Sequence, residues 1–377
     1  PLLPVDLGQI QMLDSETHAN PATEEFNSGR LAIGTGPFRM VSYRSGDRIE
    51  YQRNDGYFGP RPHWARVNYR MITNDAARTA ALLSGDVDFI DQVPTSDIAK
   101  LRGDSRVQLS EADGLRLIFL ALGHSHETNA PFITDNDGKP LGRNPLRDAR
   151  VRRALSMAVD RQAVVERVME GAALPTTQLL PPTAYGALPD RAVGRADPDG
   201  ARRLLAEAGY PQGFRIQLNG PNDRYMNDAR IIQAIGQMWT RIGIRTSVEG
   251  QPWATFVARA GRQEFSAMLV GWGTSSGEPT SPLRSLLATA TPQRGWGGSN
   301  RGRYSNPAMD EKLAEALRTL DDGRREALLR EATTLAMDDV GIIPIHIQKN
   351  IWAMRRGLRH EARADELTRA QDVSPAQ

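Results

Sequence analysis

From Asp197 to Ile347 the chain alternates apolar stretches of two different periods, and this alternation limits the possible fold more than any other feature. Asp197-Pro198-Asp199 combines a capping side chain with a proline suited to a first helical turn, and helical spacing then runs through Ala208 to a stop at Gly209. Phe214–Leu218 has strand length, Asp228–Ile242 returns to helical spacing and ends at Gly243, and Ile244–Val248, Pro252–Ala260 and Phe265–Val270 continue as strand, helix and strand. Two long helices, Pro307–Leu320 and Asp322–Met337, precede a strand at Ile342–Ile347. Strands separated by helices at these spacings predict an α/β fold whose sheet is partly parallel and covered on both faces.

The first part of the chain is mixed. Pro21–Glu25 can start a helix, and the alternating residues Phe38, Met40 and Tyr43, then Ile49 and Tyr51, predict a hairpin around Ser45-Gly46-Asp47. Val67–Ile72 reads as a strand, Asp75–Ser84 as a helix capped by Asn74 or Asp75 and closed by Gly85, and Asp86–Ile90 as another short strand. Leu115–Leu122 is a run of strand length that is apolar except at Arg116, the pattern of a strand buried on both faces. Gly123–Asn144 is rich in Gly, Pro, Asn and Asp and reads as a linker, after which Asp148–Met169 has helical spacing up to Gly171. A chain of 377 residues exceeds one ordinary core. We therefore expect a first lobe over 1–143 and a second over 144–340, with the tail fraying after Arg363.

The same residues exclude several functions. A formal charge of +2, with mixed-sign runs such as Arg324-Arg325-Glu326, gives no basic surface for nucleic acid. There is no cysteine, hence no disulfide and no thiolate site, and no apolar run reaches the roughly 18–20 residues of a membrane-spanning helix. The start, Pro1-Leu2-Leu3-Pro4, shows neither an initiator Met nor a basic n-region ahead of an apolar core, so no secretion signal is visible in it. His124 and His126 would share one face of a strand and, with Glu127 beside them, could serve a metal, but they fall in the expected linker and are read as surface groups, so neither metal nor cofactor is expected. Gly273-Thr274-Ser275-Ser276-Gly277 matches the G-x-S-x-G of a nucleophile elbow, which makes a serine hydrolase using Ser275 the alternative reading, with His346 or His360 as base. An elbow needs a helix straight after its serine, and Gly277-Glu278-Pro279 stands in the way. Trp239 lies in a predicted helix and is assigned to core packing. Trp272 ends a predicted strand, where α/β sheets place ligands, and is divided between pocket and core.

A series of motifs in order resembles one family. Ile33-Gly34-Thr35-Gly36-Pro37-Phe38, Asn54-Asp55-Gly56-Tyr57-Phe58-Gly59, Gly85-Asp86-Val87-Asp88, the block from Asn144 to Leu155 with Ala158-Val159-Asp160-Arg161, Ala201–Pro211, Gly271-Trp272, Tyr304-Ser305-Asn306-Pro307 with Asp310, and Ile343-Pro344-Ile345 are similar to segments of the peptide/nickel-type solute-binding proteins of ABC importers, family 5. The resemblance implies a bilobal type II periplasmic-binding-protein (venus flytrap) fold with lobe I incomplete and with a return strand and tail over 341–377 that pack on lobe I. It also implies a periplasmic, monomeric, non-enzymatic carrier that captures a peptide or other small solute between its lobes and delivers it to an inner-membrane ABC permease. By the same resemblance Gly271 and Trp272 line the ligand groove, Thr274, Ser275, Ser276 and Glu278 form the loop beside it, and His346 faces the cleft. Ser275 stands where peptide binders of this family usually place an aspartate for the ligand's ammonium, which points to a solute without a free amino terminus unless Glu278 supplies the charge.

Overall fold

The computed structural model describes residues 7, 8, 10, 12–274 and 276–376. Ser275 lies outside the described residues. The chain divides into two compact units, Pro1–Ala112 with Asn350–Gln377, and Asp113–Lys349.

The first unit opens with a short helix, Thr23–Asn27, and the strands β1 (Phe38–Arg44), β2 (Arg48–Arg53) and β3 (Arg66–Arg70), which pair antiparallel in that order. The β1–β2 hairpin closes where the sequence places it, with Arg44 opposite Arg48. The helix Asp75–Ser84 follows; Asn74 Oδ1 accepts from the Ala77 amide at 2.9 Å, and Gly85, at φ 87°, takes the left-handed conformation that ends the helix. Strand β4 (Phe89–Ile90) and the helix Thr95–Gly103 lead to β5 (Val107–Leu122), through which the chain enters the second unit.

In the second unit β5 is central. Leu117, Phe119 and Ala121 enter one apolar cluster, while Ile118, Leu120 and Leu122 enter another, as a strand buried on both faces must. The strands β6 (Ile133–Thr134), β7 (Ala173–Pro175), β8 (Arg215–Pro221), β9 (Arg245–Gln251) and β10 (Ala267–Gly273) follow. β10 lies antiparallel to β5 and parallel to β8, β9 is parallel to β8, and β6 is antiparallel to β8. β10 repeats the two-sided burial, Ala267 and Leu269 on one cluster and Met268 and Val270 on the other. Helices cover the first cluster with Val151 and Leu155 of Ala149–Met157, Leu205 of Pro198–Glu207, and Ile231, Ile235 and Trp239 of Asp228–Arg241. The second is covered by Phe256 of Trp253–Gly261, Leu313 of Pro307–Ala316 and Leu329 of Asp322–Asp338. Each such side chain contributes roughly 1.5–3 kcal/mol on full burial, so an uncovered face would be untenable. Trp239 is fully buried, and its Nε1 donates to the Leu155 carbonyl at 3.0 Å, the core position assigned to it.

Strand β11 (Ile342–Arg355) pairs with β7, lies beside β5 in the strand order, and carries the chain back to the first unit, where Ala353 and Met354 meet β4. There β12 (Leu358–His360) pairs with β13 (Val373–Pro375). The tail is held rather than frayed. Trp64 Nε1 donates to the Val373 carbonyl at 2.7 Å, and Trp352 Nε1 donates to Thr368 Oγ1 at 2.9 Å.

One local expectation differs from the structure. The continuous helix expected over 148–169 breaks after Met157; Asp160 caps a second segment through the Ala163 amide at 2.9 Å, and a wider turn over Val164–Val168 follows. The chain passes from one unit to the other within β5 and again within β11. The Gly- and Asn-rich segment is fastened to the second unit. Gly123 N donates to the Ser266 carbonyl at 2.7 Å, His124 N to the Gly302 carbonyl at 2.7 Å, and Asn144 Nδ2 to the Gly123 carbonyl at 2.8 Å.

Candidate functional site

The expected ligand segment begins at the end of β10, opposite β5, where Gly271 faces Ile118, Trp272 faces Leu117 and Gly273 faces Arg116. A Cβ at Gly271 would stand 2.8 Å from both Ile118 Cδ1 and Tyr225 Cε1, closer than real side chains approach. Gly271 is therefore what lets Tyr225 lie against the strand, and Tyr225 Oη donates to the Gly271 carbonyl at 3.4 Å. Trp272 is half-buried, packs on the second apolar cluster and donates from Nε1 to Ser281 Oγ at 3.3 Å. Part of the ring is thus in core and part is exposed.

The loop then turns inward. Thr274 is buried and its amide donates to the Leu115 carbonyl at 3.2 Å; Ser276 Oγ is buried without a hydrogen-bond partner among the described residues. Glu278 is also buried, and both of its oxygens are engaged. One accepts from the Thr280 amide at 3.1 Å, the other from Thr280 Oγ1 at 2.9 Å and from Arg325 at 2.6 Å, an ion pair with both side chains about 5% exposed. Residues 276–279 are not helical, and a three-residue helix starts only at Thr280, unlike the strand–turn–helix of a nucleophile elbow.

His346 lies on β11, with β5 between its strand and β10. Its side chain is fully buried, both ring nitrogens have no partner among the described residues, and burial lowers its pKa to about 3, so the imidazole is neutral at physiological pH. His124 is likewise pushed down to about 3 by burial, reinforced by Arg152 and Arg147. Among the described residues no group of three or more His, Asp or Glu is arranged to hold a metal ion.

Sequence reasoning missed the groups around Tyr225. The guanidinium carbons of Arg116 and Arg224 stand 5.9 and 5.4 Å from its ring centroid, and Trp253 meets it edge-on at 5.9 Å. Arg301, partly buried, interacts electrostatically with the same tyrosine. The only signal in the sequence was Arg116 inside an otherwise apolar strand.

The family model for bacterial extracellular solute-binding proteins, family 5 middle, matches residues 8–293. The chain belongs to this family. Its similarity to heme-binding protein A of Haemophilus influenzae is 32% identity over 321 residues, 83% of this chain and 54% of that protein. To the dipeptide-binding protein of Escherichia coli it is 28% over 314 residues, 81% of this chain and 54% of that protein. This family 5 chain thus spans about half the length of the curated relatives it matches. The murein tripeptide binding protein MppA of Escherichia coli superposes with a TM-score of 0.78 at 21% identity, covering 97% of this chain and 68% of that one. The fold is accordingly the α/β fold of type II periplasmic binding proteins, and its relatives are binding proteins. No helix among the described residues is long and apolar enough to cross a membrane.

Proposed function

We propose that this chain is the solute-capturing part of an ABC importer, working in the cell envelope as a monomer and passing a peptide or peptide-like solute to an inner-membrane permease. Membership of family 5 across residues 8–293 carries this reading. We assign Gly271, Trp272, Thr274, Ser275 and Ser276 to the ligand side, with Tyr225 and the arginines beside it as additions. For Glu278 and His346 we propose supporting roles: the first holds the loop through Arg325, the second fills the interior beside β5. Glu278 is then not the counter-charge for an amino terminus. The arginines near Tyr225 favour a solute carrying a carboxylate or other anionic group, and the absence of an aspartate at Ser275 favours one without a buried ammonium. We assign the chain no catalytic role.

The test is calorimetry with dipeptides and tripeptides in free and N-acetylated forms, glutathione and haemin. Binding of at least one, weakened tenfold or more in Trp272→Ala, is expected; silence across the panel rejects solute capture. A preference for free amino termini of about a hundredfold, roughly 2.8 kcal/mol, would defeat the argument from Ser275. A fluorophosphonate probe should leave Ser275 unlabelled, and stoichiometric labelling there would restore the hydrolase.

A further inference from the structure

Arg161 opens the short helical segment Arg161–Ala163, and its side chain is only 7% exposed. Neutral acceptors hold it. Nε donates to the Pro344 carbonyl at 2.7 Å, one terminal nitrogen to the Ser156 and Val159 carbonyls at 3.2 and 3.4 Å, and the other to Ser156 Oγ at 3.0 Å. Of the five N–H donors of a guanidinium these bonds use four. No carboxylate pairs with Arg161 among the described residues, although an uncompensated buried charge costs several kcal/mol.

The wall of a cavity of about 460 Å³ includes Arg161 together with Arg153, Arg191, Arg195 and Thr177. Its single carboxylate, Asp338, is taken up by Arg191 at 2.8 Å, and the Asp338 carbonyl accepts from Arg153 at 3.0 Å. Arg153, Arg161 and Arg195 have no carboxylate partner among the described residues. Burial, with repulsion from Arg191, lowers the Arg161 pKa to about 10, the direction expected where positive charge is in surplus. None of residues 271–278 is in the lining.

We propose that this cavity is a second binding site, for a small phosphate-bearing anion seated against Arg161 and Arg195. A monocarboxylate would leave most of the surplus charge uncompensated. A tetrahedral dianion brings two charges and enough oxygens for several guanidinium forks, and the volume leaves room for a small organic group attached to it.

The experiment is calorimetry of the whole chain at low salt with inorganic phosphate and with glycerol phosphate, acetate serving as control, together with co-sedimentation on phosphatidic acid and on phosphatidylcholine vesicles. Arg195 is exposed, so Arg195→Gln and the Arg153→Gln/Arg195→Gln pair should fold like the parent, which thermal unfolding checks. The expected result is saturable phosphate binding, absent with acetate, that weakens tenfold or more in the pair while binding at the Trp272 site is unchanged. Retention on phosphatidic acid vesicles alone, lost in the pair, would keep the phosphate chemistry and assign its source to a lipid headgroup. No binding of either phosphate up to about 10 mM and no vesicle retention, or equal affinity in the double variant, overturns the proposal.

Discussion

The Glu278–Arg325 pair shows how a single side chain is committed by its surroundings. A charge this deep survives only with a close partner, and removing that partner leaves the desolvation uncompensated. Arg325→Met should therefore cost about 3–5 kcal/mol, read as a lowered urea midpoint at unchanged slope. A loss below about 1 kcal/mol would mean that water already reaches the carboxylate. His346 behaves oppositely, because it is buried neutral. Its pKa falls from 6.5 to about 3 on folding, so as the pH drops below 6.5 the unfolded chain takes up a proton that the folded chain refuses. Stability is then lost at about 1.4 kcal/mol per pH unit from this group, until the folded state also protonates near pH 3. In His346→Leu that part of the slope should vanish while stability at neutral pH holds or rises; an unaltered acid slope would place the imidazole in contact with water.

At the scale of elements, the β-strands of the second unit are set by loops that approach each other closely. Gly213 precedes β8, has φ +66°, and a Cβ there would lie 2.0 Å from the carbonyl oxygen of Gly243, which precedes β9. Gly213→Ala meets both a left-handed backbone and a backbone clash, so the left-handed conformation alone, about 1–2 kcal/mol, is a lower bound on its cost. Thermal unfolding of this variant should show the loss, and a melting temperature within error of the parent would contradict the paired-loop geometry. The broken helix after Met157 belongs to the same scale. Its apolar spacing resumes from Ala158 at Val164 and Val168, so periodicity reads one helix, yet Asp160 between them offers a cap that begins a second segment.

For the whole molecule, both large apolar clusters fall within Asp113–Lys349, whereas the first unit leaves Val41 and Phe58 at 61% and 86% exposure. Limited proteolysis should leave a resistant fragment spanning most of 113–349, and preferential survival of a fragment before residue 112 would refute this distribution of stability. Several features at this scale are properties of the sequence itself. The alternating periods set an α/β fold, the run at Leu115–Leu122, apolar except at Arg116, announced a strand covered on both faces, and the ordered motifs from Ile33 to Ile345 carried the family. Periodicity and turn chemistry act over a few neighbouring residues and can be read one window at a time. The unit boundaries, the pairing of Glu278 with Arg325 across 47 positions, the arginines around Tyr225 and the isolation of Arg161 from every carboxylate among the described residues were decided only when separate elements packed. Burial and charge compensation depend on which distant side chains meet, and no local pattern encodes that meeting.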